Sequence, residues 1–386
     1  MQNVKNFDRL LNLNLQQTQS VFLFGPRGTG KTFWLKQHLS DGLVLDLLKT
    51  STYNELLANP SDLEWRIPEG FDNWIIIDEV QKIPALLSEV HRLIEDKHYR
   101  FILTGSSARS LKQKGVDLLA GRALNYYMHP LTCFELGSLF SLSKALKYGL
   151  LPMVYQDDID IELYLESYIT TYLREEILQE GITRNIGEFA RFLEIASFSQ
   201  GATLSLAEIG REAAIDRRVV SGYFNIVEDL LLGLRLPCFT KRAKRRMAVH
   251  PKFYFFDVGI YRILRPKGPL DSIEEIDGAA LETLFLQHLR ALNDYYRLGY
   301  QFYFWRTNNN VEVDFIAYGE RGLHAFEIKR KKKISRMDMK GLQAFKKDYD
   351  MAKLYLIYGG DHEEYHEEIK VIPFERALFQ LLEILQ

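Results

Sequence analysis

Apolar and polar positions along this chain change period several times. Ser20-Val21-Phe22-Leu23-Phe24, Trp74 to Ile77 and Phe101 to Leu103 are short apolar runs rich in β-favouring residues, which predicts strands. Between and after them the period lengthens. A helix is predicted from Lys31 through Leu35 to Leu39. A second, Pro84 to Asp96, sets Leu86, Leu87, Val90, Leu93 and Ile94 on one face for packing against a sheet. Strands alternating with helices predict an α/β fold, a sheet sandwiched by helices.

After Leu151-Pro152 and the acidic stretch Asp157-Asp158-Ile159-Asp160 the pattern turns helical, which places a boundary near residue 150. Helices are predicted over Tyr164 to Leu178, Ile186 to Phe198, Leu206 to Ala213 and Arg217 to Leu232. Ser205-Leu206-Ala207-Glu208 reads as a capping box and Asp216 as an N-cap. β-like segments Leu234 to Phe239 and Phe253 to Asp257 follow, so residues 151–267 read as a helical linker and a winged helix-turn-helix. A second boundary near 268 opens a third unit. There a helix, Leu281 to Leu292, precedes the alternating strand Val311 to Tyr318, a turn at Gly319-Glu320-Arg321-Gly322 and the strand Leu323 to Lys329. A helix from Met337 to Lys347 and a strand from Lys353 to Tyr358 complete the pattern.

The length, 386 residues, agrees with two or three domains at roughly 150 residues each, and 47% apolar against 26% charged residues is a globular balance. No apolar run approaches the ~18 residues of a membrane-spanning helix. The first residues carry no secretion signal, and Cys133 and Cys238 build neither a disulfide framework nor a zinc knuckle. A reducing, cytoplasmic setting is expected. Forty-nine Lys and Arg against 51 Asp and Glu give a net charge of −2, which by itself argues against a coat of positive potential. The sum averages Lys241-Arg242-Ala243-Lys244-Arg245-Arg246 and Lys329 to Lys333 against acidic stretches such as Asp157 to Glu162 and Asp361 to Glu368.

The first apolar run leads into Gly25-Pro26-Arg27-Gly28-Thr29-Gly30-Lys31-Thr32, which fits G-x-x-x-x-G-K-[ST] at every fixed position, with a strand before it and a helix after it. Backbone N–H groups of such a loop and the start of the helix cradle the phosphates of ATP; Lys31 reaches the β- and γ-phosphates and the Thr32 hydroxyl reaches Mg²⁺. Trp74-Ile75-Ile76-Ile77-Asp78-Glu79 supplies the acids of a Walker B strand: Asp78 for Mg²⁺, Glu79 to polarise the attacking water. Thr104 and Ser106, ending the next strand, are candidate γ-phosphate sensors. Candidates for an arginine finger are Arg109, Arg122 and Arg174, with Arg122 preferred because it lies in the small-residue loop Leu119-Ala120-Gly121-Arg122-Ala123. A finger donated in trans would require a homo-oligomer.

These residues, with Val80-Gln81-Lys82-Ile83-Pro84 and Pro130-Leu131-Thr132-Cys133-Phe134-Glu135-Leu136, resemble a large prokaryotic family of AAA-type ATPases that carry a C-terminal domain of unknown function. The resemblance extends through Lys252 to Gly259 and Phe304-Trp305-Arg306-Thr307 to Glu327-Ile328-Lys329. It implies ATP binding and settles no physiological task.

The last third carries its own constellation. Asp314 followed by Glu327-x-Lys329 on paired strands resembles the metal site of restriction-endonuclease-like folds, with Glu282 on the preceding helix as a fourth member. Asp314 and Glu327 would hold Mg²⁺ through hard oxygen ligands, and Lys329 would orient water or stabilise charge. Arg217 and Arg218 at a recognition-helix start, Lys241 to Arg246 as a wing and Lys329 to Lys333 are the candidate DNA contacts. The leading expectation is an AAA-type ATPase coupled to DNA binding, with remodelling or metal-dependent cleavage of DNA. The alternative is a nucleotide-dependent switch that recognises a protein partner, its nuclease-like fold catalytically inactive.

Overall fold

The structure is a computed structural model that describes residues 5–107, 119–173, 185–243, 250–269 and 271–386. Five strands, β1 (Ser20–Phe24), β2 (Leu43–Asp46), β3 (Trp74–Asp78), β4 (Arg100–Gly105) and β5 (Ala123–Tyr127), form an all-parallel sheet in the order β2-β3-β4-β1-β5. Helices α1 (Lys31–His38), α2 (Thr50–Ala58) and α3 (Leu86–Lys97) connect them. The apolar runs alternate between two cores. Phe22, Phe24, Ile75, Ile77, Phe101 and Leu103 meet Leu86, Leu87, Val90 and Leu93 on one face, while Val21, Leu23, Ile76 and Ile102 meet Trp34 and Leu35 on the other. Burial on both faces is why these strands read as continuous apolar segments.

Helices α4 (Cys133–Leu136), α5 (Leu142–Tyr148) and α6 (Ile161–Ser167) follow the sheet. The single helix predicted over 164–178 is interrupted: α6 ends at Ser167 and Tyr168–Leu173 widen into a π-helical turn. Two side chains favour the interruption, since Thr170 Oγ1 donates back to the Glu166 carbonyl and Tyr168 donates to the Arg27 carbonyl (both 3.0 Å). Helices α7 (Ile186–Ser197), α8 (Leu206–Ala213) and α9 (Arg217–Asp229) lead to the antiparallel pair β6 (Gly233–Leu236) and β7 (Lys252–Phe255). Asp216 caps α9 through the Arg218 N–H at 2.7 Å, and Ser205 caps α8 through Glu208 N–H.

Then come α10 (Val258–Leu264), the long α11 (Ile273–Tyr295), β8 (Gln301–Arg306), β9 (Glu312–Gly319), β10 (Gly322–Lys329), α12 (Lys340–Asp348), β11 (Lys353–Tyr358), β12 (Glu364–His366), β13 (Ile369–Pro373) and α13 (Phe374–Leu385). The six strands form a mixed sheet, β12-β13-β11-β10-β9-β8. The expected hairpin is β9–β10, and strands β8, β12 and β13 extend it. Phe285 of α11 packs against Phe315, Phe326 and Phe374 over one face, and Leu342 and Phe345 of α12 cover the other. The C-terminal end of α11 belongs elsewhere: Ala291 and Tyr295 are buried with Val21, Trp34 and Ile102 in the first sheet's core. One helix therefore spans both halves of the molecule.

Candidate functional site

The loop between β1 and α1 is fixed from both sides. Gly25 N–H donates to the Gly105 carbonyl at the end of β4 (3.3 Å), and Met128 N–H beyond β5 donates to the Phe24 carbonyl (2.7 Å). A Cβ on Gly25 would stand 2.4 Å from the Met128 carbonyl oxygen, so only glycine allows β5 this close. Gly30, at φ 95°, turns the chain into α1 through the left-handed region. The buried Lys31 ammonium donates to the Gly25 and Pro26 carbonyls at 2.6 and 3.2 Å.

Asp78, buried at the end of β3, accepts from Thr32 Oγ1 at 2.8 Å and from the Thr104 hydroxyl. Burial pushes its carboxyl above the usual range, and the two hydroxyls pull it back. Glu79 sits at φ 63°, a strained conformation for a side-chain-bearing residue. Its N–H donates to Thr104 Oγ1 at 3.0 Å, and its carboxylate accepts from Gln81 and, at 3.4 Å, from Ser106. Gln81, which also reaches Ser106 at 3.0 Å, was not anticipated as an orienter of Glu79.

A cavity of about 350 Å³ opens over this array, walled by Phe7, Arg27, Lys31, Thr32, Glu79 and Met153 among others. Its chemistry suits a nucleoside triphosphate: loop N–H groups and an ammonium for phosphates, an apolar wall for a base, and one carboxylate facing inward. Thr32 Oγ1 and Asp78, side by side, fit Mg²⁺, which when bound would neutralise phosphate charge.

Two expectations change. Thr104 does not line the cavity; its hydroxyl is used by Asp78 and by the Glu79 N–H, which fixes the Walker B acids. Arg122 precedes β5, whose first residue pairs with Ser20 at the start of β1. Because the strands are parallel, Arg122 lies at the opposite end of β1 from the loop, about 16 Å away at ~3.3 Å per strand residue, paired with Glu95. It cannot serve this chain's own phosphates. Arg109 and Arg174 lie outside the described residues.

Sequence reasoning also missed Arg9. Its guanidinium bonds the Thr29 carbonyl of the phosphate loop (2.5 Å), Glu135 (2.7 Å), the His129 carbonyl (2.6 Å) and the Tyr295 hydroxyl of α11 (3.0 Å). No motif marks a lone arginine ahead of the first strand; only the fold gives it partners.

The acids of the C-terminal sheet do converge, around a cation from another unit. Lys252 of β7, nearly fully buried, pairs with Glu312 and lies 3.5 Å from Asp314 Oδ1 and 3.9 Å from Glu282 Oε2. Tyr254 donates to Glu282 at 2.7 Å, Asp314 Oδ2 accepts from Ile328 N–H at 2.8 Å, and Lys329 pairs with Glu327 at 2.5 Å. Burial, then Asp314, pushes Glu282 up to about 7 and holds Glu327 well above the carboxylate range. Burial opposes the charge of Lys252, but Glu282, Asp314 and Glu312 keep its pKa above the ordinary lysine value. Glu327 Oε2 is buried without a partner among the described residues. No group of three His, Cys, Asp or Glu side chains able to hold a metal occurs among the described residues. As arranged, Glu282, Asp314 and Glu327 do not fit the expected Mg²⁺, because an ammonium stands among them.

The basic clusters differ in how free they are. Arg217 and Arg218 are exposed at the start of α9, and Lys241 and Arg242 are exposed after β6, Lys241 with its ammonium on Gln301 Oε1 (3.2 Å) and over the Tyr318 ring; residues 244–249, with Lys244, Arg245 and Arg246, lie outside the described residues. In the second cluster Lys329 is taken by Glu327, Arg330 by Asp277 (3.1 Å) and Lys331 by Asp338 (2.6 Å). Lys332 and Lys333 remain as exposed charge.

Residues 17–137 match the family model described as an AAA domain, and the parallel sheet with its phosphate loop agrees with an AAA-type P-loop fold. Residues 139–271 and 277–377 match two models described as domains of unknown function, DUF8612 and DUF4143. Two uncharacterized mycobacterial proteins, Rv2008c of Mycobacterium tuberculosis and Mb2031c of Mycobacterium bovis, are 27% identical over 379 residues, 94% of this chain and 82% of each relative. Uncharacterized protein MJ1544 of Methanocaldococcus jannaschii is 24% identical over 82% of this chain and 76% of its own length. Among solved structures, the Aeropyrum pernix ORC1 protein in complex with DNA aligns at a TM-score of 0.24 and 13% identity, over 64% of this chain and 86% of that one. Protein VC1899 of Vibrio cholerae aligns at 0.23 and 12%, over 96% and 97%. No helix among the described residues is long and apolar enough to cross a membrane.

Proposed function

We propose that this chain is an ATPase that binds ATP with Mg²⁺ at the Gly25–Thr32 loop, hydrolyses it with Glu79 as the water-polarising base, and couples the nucleotide state to DNA binding. The observation that carries the reading is the hydrogen-bonded line Thr32–Asp78–Thr104, which meets the cavity at Thr32 beside Lys31 and Glu79. The DNA part rests on a narrower footing, the exposed Arg217, Arg218, Lys241 and Arg242. In this reading residues 1–150 are the ATPase, 151–267 a helical linker with a winged helix, and 268–386 a restriction-endonuclease-like domain working in a cytoplasmic setting. The winged-helix assignment draws support from three helices followed by the β6–β7 pair, to which Thr203 adds an isolated bridge at Lys252.

The test is ATP turnover with Mg²⁺, with and without single-stranded, duplex and four-way DNA at low salt. Turnover abolished by Lys31→Ala and stimulated by DNA is expected. Turnover indifferent to every DNA, in a protein that retards none of them, would overturn the DNA half.

A second reading is favoured by Lys252, whose ammonium among the acids supports a catalytically silent nuclease-like fold. The switch would then act on a protein partner, recognisable as a stoichiometric complex that forms only with ATP.

A further inference from the structure

The cavity over the phosphate loop has two ends, and the sheet order tells them apart. The loop follows β1; on one flank of that strand Glu79 follows β3 and Leu48 follows β2, and both line the cavity. The other flank belongs to β5. Beyond β5 the chain is tied to the remaining cavity residues: Leu131 N–H donates to the Leu150 carbonyl at 2.8 Å, just ahead of Pro152, and Arg9 Nη2 donates to the His129 carbonyl at 2.6 Å. Phe7, Pro152, Met153 and Gln156 therefore wall the β5 end. A triphosphate lying on the loop with its γ-phosphate toward Thr32, Asp78 and Glu79 directs its nucleoside to this wall.

The wall is built to hold one aromatic ring in place. Phe7 is half-buried, packed against the core and facing the cavity, in a strap ahead of β1 that is pinned on both sides. Before it, the Gln156 side-chain amide closes on the Lys5 backbone, accepting from the N–H at 2.6 Å and donating to the carbonyl at 3.1 Å, while Lys5 Nζ reaches Asp157 at 2.6 Å. After it, Glu135 Oε1 accepts from Arg9 Nε at 2.7 Å and from Leu10 N–H at 2.9 Å. Met153, on the short 3-10 turn Pro152–Tyr155, supplies a second apolar surface. Gln156 spends both amide groups on Lys5, so Phe7 and Met153 offer a ligand ring area and polarizable contact. Such a surface holds a purine better than a pyrimidine.

We infer that residues 5–9 form a nucleobase strap in which Phe7 stacks on the base of a purine nucleoside triphosphate, with Gln156 as the positioning residue that holds the strap closed. The inference rests on the reading of the Gly25–Thr32 loop as the triphosphate site. Because Pro152–Tyr155 and Gln156 follow α5, the base would also join the phosphate loop to the start of the helical unit.

The experiment measures binding of ATP, CTP and tripolyphosphate with Mg²⁺ by calorimetry for wild type, Phe7→Ala, Phe7→Leu, Phe7→Tyr and Gln156→Ala. Phe7→Ala should bind ATP about 5- to 100-fold more weakly than wild type, the range for one lost base–aromatic stack, and hold tripolyphosphate within about twofold. The preference of wild type for ATP over CTP should shrink with it. Phe7→Tyr keeps the aromatic face and should bind all three as wild type does; Gln156→Ala should weaken ATP and spare tripolyphosphate. A loss of ATP affinity below about fivefold in Phe7→Ala, or an equal loss of ATP and tripolyphosphate, would overturn the strap. If Phe7→Ala does not fold, Phe7→Leu decides: it keeps the packing against the core, and wild-type ATP affinity there refutes stacking, whereas weakened ATP with tripolyphosphate spared supports it. A wild type that binds neither ATP nor tripolyphosphate removes the phosphate loop and the strap together. One that binds tripolyphosphate as tightly as ATP removes the strap alone.

Discussion

Lys252 and Asp314 come from different units of the chain, yet the ammonium of the first stands 3.5 Å from a carboxylate oxygen of the second, deep inside the molecule. The pair bolts the β6–β7 hairpin to the C-terminal sheet at the place where a metal would be expected. Replacing Lys252 with Met takes the ammonium away from Glu282 and Asp314, while Glu312 keeps Arg306 at 3.4 Å. Loss of one partner of a buried ion pair costs about 3–5 kcal/mol. Urea unfolding at pH 7.5 should show a loss of that size; an unchanged midpoint would mean the acids are solvated.

The same cluster has a pH signature. Glu282 is raised from 4.5 to about 7 in the folded chain, so its contribution is fully present below pH 4.5 and is lost as pH rises through 7. His288 and His324 are lowered from 6.5 to about 4, so theirs is present above pH 6.5 and is lost as pH falls through 4. The two trends oppose each other between pH 4.5 and 6.5. Glu282→Gln removes the first, and its stability should rise with pH across that interval more steeply than that of wild type. Parallel curves would count against the raised carboxyl.

Thr104 separates positioning from phosphate contact. Thr104→Val keeps the shape and removes the hydroxyl that Asp78 and the Glu79 N–H share. Single-turnover hydrolysis should fall about 10- to 100-fold, as for lost positioning, with ATP affinity held within about threefold. Weakened binding of ATP but not of ADP would instead place the hydroxyl at the γ-phosphate.

Arg9 ties the phosphate loop to α11 through Thr29 and Tyr295. Tyr295→Phe leaves one Arg9 N–H and the His129 N–H without their shared oxygen, an expected loss of about 1–3 kcal/mol. Arg9→Met should cost more, because it strands the fully buried Glu135 side chain. Denaturant midpoints for the two variants test the order; the reverse order would mean the tyrosine carries the joint.

DNA affinity, if carried by Arg217 and Arg218, has a salt signature. Removing both should reduce the slope of log affinity against log salt by about 2, near 0.9 per duplex phosphate contact. The Lys329–Lys331 positions should change it little, since their charges are already matched by Glu327, Asp277 and Asp338.

Local physics made much of this molecule legible from residues alone. Strands β1, β3 and β4 are apolar runs because both faces are buried, and the loop from Gly25 to Thr32 declares itself because phosphate binding needs glycines and a lysine at fixed spacing. The E-x-K strand and its partner were legible for the same reason, as period-2 side chains on a hairpin. What escaped depends on contacts between residues far apart in sequence. Arg9 meets Tyr295 across 286 positions, and Lys252 enters an acid cluster built from α11, β9 and β10. Arg122 reads the same in sequence whether it precedes a strand at its phosphate end or at the other; parallel pairing with β1 puts it at the other. Composition and spacing name which groups a chain owns, and the tertiary fold decides which of them share low-dielectric space, where pairing and pKa are set.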